Sequence, residues 1–275
     1  MSFTDNPLPP EPEPQAGVGP PEMPVAPEPW RPGHENPAWS FWDVVRVAVV
    51  ALLSIGFFSV IVLSIASHNA SQKATAIELA RDPEIVVPAQ VAAYVIVVAF
   101  MAGTVRARGS GFWSGVRWNW PAPAWLGFFG LGIGLAIAVQ AASALLPIPK
   151  SLPIDRYFTN ATGAYVMAGF GTTAAPLVEE LFFRGFLYPV VARRLGLGAG
   201  VGLTALAFAL IHESQLAQAW APLLLLFGVG VVLTTVRART GSVGASFLVH
   251  VGYNGTLFFL LFLASDHFRH LERIG

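Results

Sequence analysis

Beyond residue 40 the chain is a succession of apolar segments, each about as long as a lipid bilayer is thick. They can be marked at residues 40–67, 88–106, 123–147, 163–194, 198–215, 218–238 and 243–265. About 20 apolar residues cross the hydrocarbon core as a helix. Inside lipid every backbone N–H and C=O must find its partner within the protein, which leaves helices and closed barrels as the only spanning forms. Segments of this length are helical spans, so the expected fold is all-α, a polytopic transmembrane helical bundle of about seven to eight spans. Composition agrees: 12% of residues are charged and 54% hydrophobic, whereas a soluble domain carries about 25% charged residues.

Residues 1–36 are rich in proline and acids and hold no apolar run. They read as a disordered Pro-rich cytoplasmic tail that cannot bury enough apolar surface to offset chain entropy. The fourth apolar segment is longer than one span needs and is expected to break near Pro176. Arg106, Arg108, Arg117, Arg193, Arg194, Arg237 and Arg239 fall on one side if the spans alternate, against Lys73, Arg81, Lys150 and Arg156 on the other. The positive-inside rule then places the N-terminus in the cytoplasm and the C-terminus outside, most simply in the cell membrane. Trp113, Trp118, Trp120 and Trp125 lie between two spans, where amphipathic rings suit the headgroup zone.

Net charge is zero with no block of basic residues, which gives no footprint for nucleic acid. The absence of cysteine removes disulfides, thiolate metal sites and a cysteine nucleophile. Glycines cluster at Gly127, Gly130, Gly132 and Gly134 and again at Gly196, Gly198, Gly200 and Gly202. Neither group follows a strand, as a dinucleotide fingerprint requires. Close packing of membrane helices is the better account.

Against this background a few polar residues stand out within the spans. A charge at bilayer depth costs roughly 2.5–3.5 kcal/mol on insertion scales, so each requires a reason. In PLVEELFFRGF, Glu180 and Arg184 are four residues apart with the acid first, the favourable order for an intrahelical pair. Glu179 projects about 100° away and is poorly placed for that arginine. An acid removed from water holds its proton more readily, which suits a general base near neutral pH. His212 ends the run FALIH, one turn after Phe208, and His250 and Asn254 are one turn apart in HVGYN. Each has a structural explanation: a protonated Glu179 bonded to a neighbouring helix, an interfacial His212, or a His250–Asn254 tie between helices. Together they supply the parts of a hydrolysis, with a carboxylate and an imidazole to deprotonate water and an imidazole and an amide to hold an oxyanion.

Other chemistries fit less well. Two histidines and a glutamate can bind zinc, but HESQL at His212 lacks the second histidine of HExxH. A set drawn from separate spans, Glu179, His212 and His250, leaves a divalent metal open. Ser246 and His250 share a helical face, without the Gly-x-Ser-x-Gly turn of a serine hydrolase. A proton relay or transporter would use similar groups, but no inverted repeat is evident.

The blocks EELFFR (Glu179 to Arg184), FALIH (Phe208 to His212) and HVGYN (His250 to Asn254) follow the order EExxxR, FxxxH, HxxxN. In this the chain resembles the CPBP intramembrane proteases, which include the type II CAAX prenyl endopeptidases and ABI relatives linked to bacteriocin immunity. The resemblance covers roughly residues 120–265. It divides the chain into the tail, two spans with an interfacial segment at 37–120, and a CPBP-like catalytic core at 121–275.

The resemblance implies an endopeptidase acting on a membrane-embedded or lipid-anchored protein or peptide. Glu179 and His212 would activate water, His250 and Asn254 would hold the oxyanion, and Glu180, Arg184 and Phe208 would support the site. It implies no required cofactor, although the family has also been described as metalloproteases. The substrate does not carry over, and nothing in the chain marks a prenyl pocket. The competing reading is a non-catalytic membrane partner or immunity-type protein whose polar residues hold helices together.

Overall fold

The computed structural model describes residues 35–69, 75–158 and 160–271. The expected N-terminal tail lies outside the described residues, apart from its last two. Among the described residues the protein is helical, with no strand. The helices are α1 (Phe41–Asn69), α2 (Ala76–Leu79), α3 (Pro83–Ala107), α4 (Phe112–Gly115), α5 (Trp125–Ser143), α6 (Ala161–Thr172), α7 (Ala174–Glu180), α8 (Tyr188–Leu210), α9 (Trp220–Thr240) and α10 (Val243–Ala264). A π-helical segment, Leu181–Leu187, joins α7 to α8.

Among the described residues, six helical stretches are long and apolar enough to cross a membrane, close to the expected seven to eight. The expected fourth and fifth spans belong to one helical stretch, Ala161–Leu210. Yet this stretch is not straight. Gly196 adopts φ 81° and ψ 175°, outside helical space and open to glycine without a Cβ penalty. A Cβ on Gly200 would lie 2.8 Å from that of Ala192, eight residues back. A straight helix would separate these positions by about 12 Å. The chain therefore doubles back, and its returning arm, residues 197–210, is only about 21 Å long, short of a full crossing.

The expected break near Pro176 occurs at Thr173, whose φ of −120° and ψ of −73° separate α6 from α7. Proline has no N–H for the carbonyl four residues back and its ring crowds that carbonyl, so the distortion falls one turn before it. α3 starts five residues before the expected boundary, because Asp82 caps Glu84 N at 2.9 Å and Pro83 takes the first turn.

α5 packs mainly on α10, α1 on α3, and α8 on α9. The α5–α10 contact is close: a Cβ on Gly132 would collide with Val249 O, and one on Gly252 with Phe129 O. Packing thus explains Gly132 among the first glycine cluster, while Gly127, Gly130 and Gly134 have open space around them. Trp113, Trp120 and Trp125 are exposed around α4, as an interfacial segment requires.

Of the basic residues expected on one side, Arg108, Arg117, Arg193 and Arg237 converge on residues 35–43. Arg237 forms a two-point ion pair with buried Glu35, Nη1–Oε1 2.9 Å and Nη2–Oε2 3.3 Å. Arg117 Nε lies 3.7 Å from the same carboxylate, Arg108 pairs with Asp43 at 2.8 Å, and Arg193 donates to Pro37 O at 3.2 Å. Glu35, which composition assigns to the tail, is thus docked on α9, because a carboxylate beside two guanidiniums gains more from pairing than from solvation there.

Candidate active site

The turn at Gly196 brings distant residues together. Glu179 lies 17 residues before it and His212 lies 16 residues after it, so two arms of similar length end side by side. His212 Nε2 stands 3.9 Å from Glu179 Oε1. α10 supplies the third member, with His250 Nε2 at 3.7 Å from Glu179 Oε2. Each oxygen of one carboxylate thus faces a different imidazole.

The other ring nitrogens fix the orientation of both histidines. His212 Nδ1 is 2.8 Å from Phe208 O, a carbonyl that can only accept, so Nδ1 carries a proton and Nε2 is left facing Glu179. His250 Nδ1 donates to Glu180 Oε1 at 2.9 Å. The side chains of Glu179 and His212 keep 15% and 17% of their surface exposed, against 3% for His250. Glu179 and His212 thus form the more open edge of the cluster, and His250 lies on its buried side.

Glu180 and Arg184 are both fully buried. Arg184 Nη1 donates to Glu180 Oε1 at 2.9 Å, as the i, i+4 spacing predicts. Two further bonds come from α9: Arg184 Nε donates to Thr234 Oγ1 at 3.2 Å and Nη2 to Gly230 O at 3.3 Å. The guanidinium carbon sits 4.4 Å from the centre of the Phe208 ring. That ring also meets His212 at 4.9 Å and His250 at 5.7 Å, edge-on to the latter. Phe208 is therefore the apolar divider among a cation and two imidazoles.

Asn254 makes the kind of interhelical tie that the sequence offered as its structural explanation. Its Nδ2 donates to Gly171 O at 2.7 Å, tying α10 to the end of α6 just before the break at Thr173. One of its two amide protons is thus committed to helix packing. Thr234 was not anticipated as a partner, since a threonine in an apolar span ordinarily bonds its own backbone, as it also does here to Gly230 O at 2.7 Å. Trp39 was missed as well. Its indole donates to Phe186 O in the π segment at 2.9 Å, and its ring stacks on Phe186 with centres 4.8 Å apart.

Among the described residues no group of three His, Cys, Asp or Glu is arranged to hold a metal ion. Glu179, His212 and His250 meet with nitrogen-to-oxygen gaps of 3.7 and 3.9 Å.

No curated protein and no solved structure matches the chain. A family model does match, and it covers residues 161–256, from the first residue of α6 to two residues past Asn254. That model is described as type II CAAX prenyl endopeptidase, Rce1-like, the family to which the three motif blocks point.

Proposed function

We propose that the chain is an intramembrane endopeptidase that hydrolyses a peptide bond in a membrane-embedded or lipid-anchored protein or peptide. The observation that carries this reading is the Glu179 carboxylate lying between two imidazole Nε2 atoms, at 3.9 and 3.7 Å, with its His212 edge partly exposed. A water held there would give its proton to the carboxylate as its oxygen bonds to the carbonyl carbon. The carbonyl electrons move onto oxygen, and the resulting oxyanion accepts hydrogen bonds from His250 and Asn254. To donate there, His250 Nε2 must carry a proton, while its Nδ1 donates to Glu180 Oε1. Asn254 contributes only the amide proton that Gly171 O does not take. Collapse breaks the C–N bond, and the departing amine takes the proton from Glu179.

Glu180, Arg184 and Phe208 hold His250 and His212 in place. The N-terminus faces the cytoplasm in this reading, in the cell membrane. The test is Glu179→Gln in the purified full chain, incubated with membrane-anchored peptides whose cleavage is followed by mass spectrometry. Folding as in the parent with loss of cleavage is expected; cleavage at the parent rate would overturn the assignment.

A further inference from the structure

Residues 85–103 of α3 hold two polar side chains, Gln90 and Tyr94, one helical turn apart. Tyr94 follows Pro83, the first residue of α3, by 11 residues, which is about 17 Å of helix and near the middle of a hydrocarbon core about 30 Å thick. A tyrosine at the headgroup zone would need no further account, but one at mid-span does. Its place in the bundle is fixed from two sides. The half-buried ring stacks on Phe170 of α6 with centres 5.8 Å apart, and Phe170 precedes Gly171, whose carbonyl takes the Asn254 amide. Val97 and Val98, three and four residues further along α3, pack with Leu177 and Leu181, which flank Glu179. The phenol lies close enough to Glu179 to feel its charge, and the Gln90 side chain approaches its hydroxyl. Beside Gln90, no described residue is in hydrogen-bond contact with that hydroxyl. A Gln90 amide donating to the phenol oxygen leaves the hydroxyl proton for an incoming acceptor.

We propose that Tyr94 is a substrate-binding residue whose hydroxyl donates a hydrogen bond to a main-chain carbonyl of the peptide lying against the Glu179 carboxylate. The word substrate rests on the proposed hydrolase reading; the peptide contact itself needs no cleavage. A membrane-embedded segment must be unwound before water can reach a carbonyl carbon, and its carbonyls then lose their helical partners where lipid offers no replacement. A fixed donor at mid-span meets that need, and a phenol supplies one without adding a charge. Because it reads the backbone, Tyr94 favours no particular side chain. α3 lies outside residues 161–256, so this wall of the site comes from a part of the chain that the family model does not cover.

The test uses the full chain with Glu179→Gln, so that a bound peptide is not consumed, in phosphatidylcholine nanodiscs. Its five tyrosines are replaced by 3-fluorotyrosine, and the Tyr94 resonance is the fluorine signal that Tyr94→Phe removes. The probe is a lipid-anchored leucine–alanine peptide with an amidated end. Saturable movement of the Tyr94 signal is expected. Tyr94→Phe keeps a ring on Phe170 and should weaken peptide binding about fivefold, the share of one neutral hydrogen bond. Peptides in which one carbonyl at a time is reduced to a methylene add a readout that a merely packed tyrosine would not move. One of them should bind about fivefold more weakly when Tyr94 is present and no more weakly than the intact peptide in Tyr94→Phe. A Tyr94 signal unmoved by millimolar peptide, equal affinities with and without the hydroxyl, or carbonyl losses independent of Tyr94 overturn the inference. Coupled binding in a chain that cleaves nothing without the Glu179 substitution would count against the hydrolase and not against Tyr94. Cleavage by Tyr94→Phe with the parent KM would count against Tyr94 alone.

Discussion

Arg184 and His250 donate to the same atom, Glu180 Oε1, each across 2.9 Å from a different helix. The second oxygen of that carboxylate has no hydrogen-bond partner. One buried anion therefore anchors both the cation of its own helix and the imidazole that walls the site. Glu180→Gln would leave a fully buried guanidinium without a counter-charge. A loss of about 3–5 kcal/mol is expected on that basis, whereas Glu179→Gln, at a partly exposed position without an ion-pair partner as close as Arg184 is to Glu180, should cost about 1 kcal/mol or less. Chemical denaturation of both variants in the same detergent checks the contrast, and equal losses would make Glu179 a structural residue.

Gly252 and Gly132 test the close crossing of α5 and α10. Gly252→Ala sets a methyl group against Phe129 O, so the helices must move apart at a cost of about 1–3 kcal/mol. Because His250 sits half a turn earlier on α10, cleavage should also fall. Gly134→Ala, with open space around it, should change neither melting temperature nor rate.

Trp39 reaches the π segment from outside the family-matched region. Trp39→Phe keeps an aromatic ring against Phe186 but removes the N–H that Phe186 O accepts. A net loss of about 1 kcal/mol is expected. Hydrogen exchange should localise it, with amides of Leu181–Leu187 exchanging about fivefold faster while those of α9 are unchanged.

Metal dependence can be settled by chelation. With water activated by Glu179, cleavage should survive exhaustive treatment with a strong chelator. Activity lost on chelation and restored by zinc would instead make Glu179, His212 and His250 ligands.

Arg237 offers a check on the docked start of the chain. Glu35→Gln removes the charge that Arg237 and Arg117 share. Limited proteolysis should then cut near residues 35–40 in the variant and spare them in the parent. Protection of both to the same degree would mean that Trp39 and Arg193 hold this stretch without the ion pair.

What could be read from residues alone was whatever has a local cause. Apolar length fixes the membrane class, because an unpaired backbone group in lipid is too costly to allow other forms. The Glu180–Arg184 pair follows from one turn of helix, and the order of the three motif blocks pointed to the family whose model covers residues 161–256. The number of crossings was not legible, since hydropathy cannot tell two spans from one helical stretch that turns on a single glycine.

The partners of the buried polar groups were decided only in three dimensions. Nothing near Glu179 in sequence indicates that its two oxygens would face His212 and His250, or that Glu180 would hold His250 in addition to Arg184. Asn254 shows the same limit: its spacing from His250 sets a common face, but the carbonyl of Gly171 takes its amide because α6 ends there. Sequence determined that these side chains must be buried and paired. The fold-back at Gly196, the break at Thr173 and the glycine crossing of α5 with α10 chose the pairs, because a desolvated polar group bonds to whatever partner packing brings within reach.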